Sequence, residues 1–320
     1  MNTDECPLGW VPLDQRTNDQ IDAHEKAMKG FIPFMIAGGD IERPDKVVLN
    51  EIWNHPVVVK ALGFKFPRVR QITGSCVWCG GVNAAATLLF RQAIYGRSGE
   101  VIGVPFGLNN YARSRRAAGM LIPGSGSLGS TFAASLKDDG LAMCGTVEGM
   151  PKFTIEDGIV FGGSTELKYS VVGGIAAGIE EMAKSHPVKG VAQIKTIDQL
   201  IDAIQVAKCS LTWACSRYIG NGTVKGSGDD AVVVGSLDSR GGHQTSLQGY
   251  WKHPTLGPLI KNQNNWPASS YPADPDKNGT PCAVWQRADD LAKYLDNGDA
   301  ECYLLSGYEN IMAESFSWNI

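Results

Sequence analysis

The strongest constraint on the fold is a change of hydrophobic period along the chain. Apolar residues at Val82, Ala85, Ala86, Leu89 and Ala93 fall on one face of a helix that Gly96 closes. A second helix is expected over 127–139, stopped by Gly140, and a third from Thr196, where Thr196 and Gln199 have capping-box spacing ahead of a stripe of Ile197, Leu200, Ile201 and Ile204. Beyond Lys208 the period shifts toward two, with Leu211, Trp213 and Cys215 on one side of a strand. Further strands are expected over 232–237, 245–251 and 259–262, then a short helix over 285–295 and a last strand over 302–305. Helices gathered before strands give an α+β architecture. The 38 glycines and the low charge, 19% of residues, agree with a body rich in turns rather than a helical bundle.

Residues 1–60 have a different texture. Positions 14–29 are polar with weak helical spacing at Ile21, Ala27 and Met28, and Pro33, Pro44 and Pro56 interrupt residues 30–60. This stretch reads as an N-terminal extension or arm packed on a body of residues 61–320. The 33 acidic and 29 basic side chains give a net charge of -4 without a run of either sign, so no field exists to hold a phosphate backbone, and nucleic acid is not an expected partner. No stretch approaches the roughly 18 to 20 apolar residues of a membrane span. The opening Met-Asn-Thr-Asp-Glu-Cys-Pro lacks the basic end and apolar middle of a signal peptide, which predicts a soluble protein of the cytoplasm or of a particle such as a virion. The eight cysteines (Cys6, Cys76, Cys79, Cys144, Cys209, Cys215, Cys282 and Cys302) are thinly spread, and most are expected to be reduced and buried. Asn221-Gly-Thr and Asn278-Gly-Thr match a glycosylation acceptor but, without an export signal, read as turns.

Three segments carry chemistry when taken together: Gln71-Ile-Thr-Gly-Ser-Cys76, Gly242-His243 through Gly249-Tyr250, and Lys261-Asn-Gln-Asn-Asn-Trp266. A cysteine at the mouth of a helix has its thiolate favoured by free N–H groups and by the positive end of the helix dipole. A histidine from a distant strand can take its proton, an amide can fix the imidazole tautomer, and an upstream glutamine can donate to a developing oxyanion. Each piece alone has a plainer reading: a buried cysteine after a turn, a satisfied core histidine. Cys76 and Cys79 also form a Cys-x-x-Cys pair, the spacing of redox sites and of half a zinc site, but a second pair is lacking.

These motifs resemble those of the papain-like cysteine peptidases. Gln71 with Gly74-Ser75-Cys76 is similar to the family's Gln…Gly-Ser-Cys-Trp, His243 to Tyr250 to its His-Ala-x-x-x-x-Gly-Tyr, and Lys261 to Trp266 to its Lys-Asn-Ser-Trp. Gly126 and Ser127 stand where the family carries a glycine pair whose backbone binds an extended substrate. The matches span roughly residues 65–310 as scattered motifs. The resemblance implies a two-lobed fold, a helical lobe and a twisted β-sheet or barrel lobe with a cleft between. It implies hydrolysis of peptide or amide bonds without a cofactor: Cys76 as nucleophile, within about 4 Å of a His243 ring nitrogen, His243 as base and then acid, Asn264 or Asn262 as the orienting amide, and Gln71 with the Cys76 N–H at the oxyanion. Gly126 and Ser127 would bind a peptide or protein substrate.

There are departures from the pattern. Gln71 stands five positions before Cys76 where the family has six, Val77 separates Cys76 from Trp78, Gly80 and Gly81 weaken the helix start, and Pro267 replaces the glycine after the tryptophan. Cys79 is a rival thiol. They leave open a second reading, an inactive papain-like module serving as a structural or binding part of a larger assembly, reached through the N-terminal extension.

Overall fold

The computed structural model describes residues 9–34, 43–95, 103–144, 147–220, 222–237, 239–272 and 282–308, so Cys6, Asn221 and Asn278 lie outside the described residues. The helix Cys76–Tyr95 forms the spine, and every side chain from Cys76 to Phe90 is buried, which suits a helix apolar on all faces. Its two glycines give close approach: a Cβ on Gly80 would come within 2.8 Å of the Thr245 carbonyl oxygen, and one on Gly81 within 2.2 Å of the Phe132 ring. The helix-propensity cost of about 1 kcal/mol each is thus tied to packing against the sheet and against the helix Gly129–Asp138.

The helix Ile197–Gln205 begins as expected, the Thr196 hydroxyl accepting the Gln199 N–H at 3.2 Å, with Leu200, Ala203 and Ile204 buried. The helix Leu108–Ala117 escapes an apolar-stripe reading because its buried positions include Asn109, Asn110, Ser114 and Arg115. Residues 285–295 are not one helix: Ala283–Arg287 is a strand, and the helix is Ala288–Asp296. Pairing decides this, since Ala283–Arg287 bonds Gly257–Gln263 on one side and Val232–Gly235 on the other, and Trp285 packs edge-on against Trp251.

The main sheet runs in the order Ile32–Pro33, Val188–Ile194, Ala300–Tyr308, Leu211–Tyr218, Ser239–His253, Gly257–Gln263, Ala283–Arg287, Val232–Gly235 and Gly222–Lys225, with Lys46–Val48 joined to Ser239–His253. It is mixed, with parallel pairs at Ile32–Pro33 and between Val232–Gly235 and Ala283–Arg287. One large apolar cluster surrounds the Cys76 helix with Trp78, Phe90, Phe106 and Phe132, and the other fills the sheet side with Trp213, Ile260, Trp266 and Leu304. These are the helical and β lobes of an α+β chain. Residues of the first sixty take part in both, Trp53 and Ile52 in the first cluster, Phe34 and Leu49 in the second. The described cysteines are free thiols, all buried except the half-buried Cys144. Among the described residues no helix is long and apolar enough to cross a membrane.

Candidate active site

The Cys76 helix meets the strand Ser239–His253 where the two lobes join. The Thr73 carbonyl accepts the Ser75 N–H at 2.8 Å and the Ser75 carbonyl accepts the Trp78 N–H at 3.1 Å, so the chain turns into the helix with Cys76 as its first residue. N–H groups there have no partner within the helix. Across from it, a bulge between Arg240 and His243 interrupts pairing with Leu211–Tyr218, and His243 resumes the register opposite Cys215. Gln244, the next residue, donates its N–H to Cys76 Sγ at 3.3 Å. Asn265 Nδ2 joins the parts, lying 3.3 Å from the Cys76 carbonyl, 3.1 Å from the Gln244 carbonyl and 3.1 Å from Gln71 Oε1.

His243 is oriented from the far side. Its Nε2 donates to Asn264 Oδ1 at 2.8 Å. That oxygen also accepts the Asn265 N–H at 2.7 Å, while Asn264 Nδ2 donates to the Tyr271 hydroxyl at 2.8 Å, which donates onward to the Ile219 carbonyl at 2.9 Å. These bonds fix which end of the amide faces the ring, place the ring proton on Nε2 and leave the lone pair on Nδ1. Trp266 stacks on the imidazole with centroids 4.6 Å apart. Buried Arg68 donates to the Asn264 carbonyl at 3.1 Å and to the Trp266 carbonyl, clamping the turn. Asn262 is not at the ring: its Nδ2 donates to Gln286 Oε1 at 2.8 Å. Cys79 lies one helical turn on, bonded to Ser75 and near the Glu166 carboxylate.

Residues 9–11 of the same chain close another side of the site. The N–H groups of Gly9 and Trp10 bond the Cys76 sulfur and also reach the Gly242 carbonyl at 3.2 Å. Ser127 donates to the Gly9 carbonyl at 2.8 Å and accepts from the Val11 N–H at 3.2 Å, a parallel bridge centred on Trp10 and Ser127. Gly126, with φ of 86°, donates to the Gly74 carbonyl at 2.8 Å. Only glycine fits at position 9, where a Cβ would lie 1.8 Å from the Gly74 carbonyl oxygen. This segment is anchored by Arg16, which donates to Glu301 at 2.5 Å in a buried pair and to the Val11 carbonyl at 3.1 Å.

Burial shifts both titratable groups of the site. Burial pushes the Cys76 thiol up to about 12, against the N–H bonds from Gln244, Gly9 and Trp10 that favour the thiolate. Burial also lowers His243 to about 4, opposed by the bond to Asn264. Both shifts favour the neutral forms, a thiol at Cys76 and an uncharged imidazole at His243. The expected hydrogen bond between the two is not formed: His243 Nδ1 is buried with no hydrogen-bond partner among the described residues, and the sulfur takes its bonds from backbone N–H groups. Gln71 Nε2 is turned onto its own loop, donating to the Thr73 carbonyl at 3.0 Å. Asn265, Arg68 and Glu166 are the site residues that sequence reasoning missed. Asn265 had a weak signal in its place between Asn264 and Trp266, and the other two had none. Among the described residues no group of His, Cys, Asp and Glu is arranged to hold a metal ion.

No protein-family model matches the chain, and no curated protein sequence is similar to it. Solved structures are similar in shape. Xylellain, a cysteine protease from Xylella fastidiosa, superposes over 87% of this chain and 95% of its own with a TM-score of 0.51 at 14% identity. A digestive procathepsin L2 proteinase from Tenebrio molitor covers 93% of this chain and 83% of its own at a TM-score of 0.51 and 12% identity. Procathepsin B S9 from Trypanosoma congolense covers 88% and 87% at a TM-score of 0.50 and 10% identity. Identities this low speak for the fold alone, and the fold of this chain is that of the papain-like cysteine proteases.

Proposed function

We propose that this chain hydrolyses peptide or amide bonds through Cys76, His243 and Asn264, and that the structure is its resting, covered form. The observation that carries the reading is the tautomer of His243. Asn264 Oδ1 accepts the hydrogen bond from Nε2–H, which leaves the lone pair on the buried Nδ1, in the residue next to Gln244, whose N–H bonds the helix-opening Cys76 thiol. That is the arrangement a general base needs. With the arm displaced, water and substrate replace the N–H groups of Gly9 and Trp10, the burial that holds both groups neutral is relieved, and the thiol proton passes to Nδ1. The thiolate attacks the substrate carbonyl carbon, the oxyanion forms beside the Cys76 N–H and the Gln71 amide, and the C–N bond breaks as Nδ1 returns the proton to the leaving amine. Water then attacks the thioester carbonyl, giving a proton to Nδ1; the C–S bond breaks, the acid leaves, and Nδ1 returns the proton to the Cys76 sulfur.

Gly126 and Ser127 bind the extended substrate in this reading, because Ser127 already offers its N–H and carbonyl to the backbone of residues 9–11. The substrate is a peptide or protein segment. Residues 1–60 form the arm and residues 61–320 the peptidase body, although the arm adds strands to the sheet of the body. The second reading, an inactive module kept for assembly in a particle such as a virion, is favoured by one observation: Cys76 is completely covered, and that burial pushes its thiol up to about 12. The test is cleavage of a peptide library by the wild-type chain and by Cys76→Ser, with the labelled thiol identified by mass spectrometry after iodoacetamide. Cleavage lost with Cys76 supports the enzyme. Absence of cleavage together with an unreactive Cys76, even when the arm is displaced, supports the module.

A further inference from the structure

Beneath the loop that precedes Cys76 lies a carboxylate that the proposed chemistry does not use. Glu166, on the short helix Gly163–Lys168, is buried. It accepts from the Ile72 N–H at 3.2 Å, the Thr73 N–H at 2.9 Å, the Thr73 hydroxyl at 2.7 Å and the Ser75 hydroxyl at 2.8 Å. No cation forms an ion pair with it among the described residues; the loop supplies all four donors. Two consecutive backbone N–H groups converging on one carboxylate fix the peptide planes of the loop as an anion nest does. The Thr73 carbonyl, held by this grip, accepts both the Gln71 Nε2 and the Ser75 N–H, at 3.0 and 2.8 Å. Both oxyanion donors, the Gln71 amide and the Cys76 N–H, are therefore set by residues that Glu166 holds.

We infer that Glu166 is a positioning residue, which acts through Thr73 and Ser75 to hold the oxyanion donors of Gln71 and Cys76 in place. The inference rests on the reading of Cys76 as nucleophile. It separates two properties of the site that a general loss of structure would lower together. Alkylation by iodoacetamide needs the thiolate and no oxyanion, whereas a peptide aldehyde adds to the thiol as a hemithioacetal whose oxygen occupies the oxyanion position. A carboxylate at the start of the Cys76 helix opposes the helix dipole, so removing its charge does not slow alkylation.

The experiment compares the full-length wild type with Glu166→Gln for both probes, side by side at one pH above about 9, where the covered wild-type thiol is expected to react, and with the pair Thr73→Val and Thr73→Ser. In Glu166→Gln one oxygen becomes an NH2 group that faces donors. Alkylation at Cys76 is expected to stay at or above about half the wild-type rate, while aldehyde affinity and kcat each fall about 100-fold, the scale of losing an oxyanion donor, with KM within about 3-fold. Thr73→Val, which keeps the backbone bonds and loses one hydroxyl, falls about 10-fold on the aldehyde, and Thr73→Ser restores it. The Thr73 pair decides the matter should Glu166→Gln fail to fold. Equal losses in alkylation and aldehyde binding, or no loss in either, overturn the role of Glu166. A wild type that alkylates at Cys76 but takes up no aldehyde has no oxyanion site and overturns it as well. A wild type inert to both probes removes the nucleophile reading and this inference together.

Discussion

The His243 wall of the site is set by sheet pairing, whereas the Cys76 wall is set by bonds between loops that are distant in sequence. His243 lies in a strand paired to Leu211–Tyr218 and to Gly257–Gln263, and Asn264 comes directly after the second of these, so register brings ring and amide together. Cys76 starts its helix, but its surroundings come from Glu166 far along the chain and from residues 9–11 near its beginning. A wall made by register is hard to move. A wall made partly by residues 9–11 rests on a few bonds that a substitution can remove, and under the proposed function that asymmetry would make the buried pair a resting state.

The largest expected effect removes the sulfur. Cys76→Ser should lower peptide hydrolysis by at least about 1000-fold, since the nucleophile acts as a unit with its base, while thermal unfolding stays within about 2 °C of wild type because the volume hardly changes. Loss of the folded transition would show that Cys76 is needed for packing instead. Next comes the arm. Gly9→Val puts a branched side chain where a Cβ already lies 1.8 Å from the Gly74 carbonyl oxygen, so the arm must lift. Alkylation at Cys76 should then accelerate about 10-fold or more, as burial and not the sulfur's chemistry limits it; a rate equal to wild type would mean the arm does not cover the thiol in solution.

On the register-built wall, Asn264→Ala should lower kcat about 10-fold by freeing the imidazole tautomer, whereas Asn262→Ala, at a side chain bonded to Gln286, should leave kcat within about 2-fold. The reverse pattern would break the assignment of the orienting amide. The smallest effect is in pH. His243 has its folded value lowered to about 4 by burial, below its ordinary 6.5, so the unfolded chain takes up a proton first and stability falls as pH drops between about 6.5 and 4. The same uptake favours lifting the arm, because a hydrated imidazole charges more readily. A melting-temperature series over that range should slope in wild type and flatten in His243→Phe; identical slopes would place the acid sensitivity elsewhere.

Legibility in the sequence divides along the same line. The helix starting at Cys76, the His243 strand and the Lys261 to Trp266 segment are local patterns of period and motif, and the α+β class comes from them. The helix Leu108–Ala117 was hidden because polar residues fill its buried side, and the strand Ala283–Arg287 because Trp285 and its neighbours suit a helix equally well until cross-strand partners choose. Gly80 and Gly81, odd in a helix read alone, make sense once Thr245 and Phe132 are seen against them. Glu166, Arg68 and the arm over the thiol depend on contacts between distant positions, for which no periodicity exists. A carboxylate at 166 looks like any surface glutamate until the loop wraps it.

That residues 9–11 keep the Cys76 thiol covered and protonated is tested most directly by the pH profile of iodoacetamide labelling at Cys76 in wild type and in Gly9→Val. In wild type, labelling should be slow and rise only above about pH 9, since burial holds the thiol at about 12. In Gly9→Val it should already be fast near pH 6 to 7, well below the roughly 8.5 of a free thiol, because the released proton has His243 Nδ1 to occupy. A Gly9→Val chain with the arm displaced whose Cys76 still labels only above about pH 8, and which cleaves no peptide, would contradict the account.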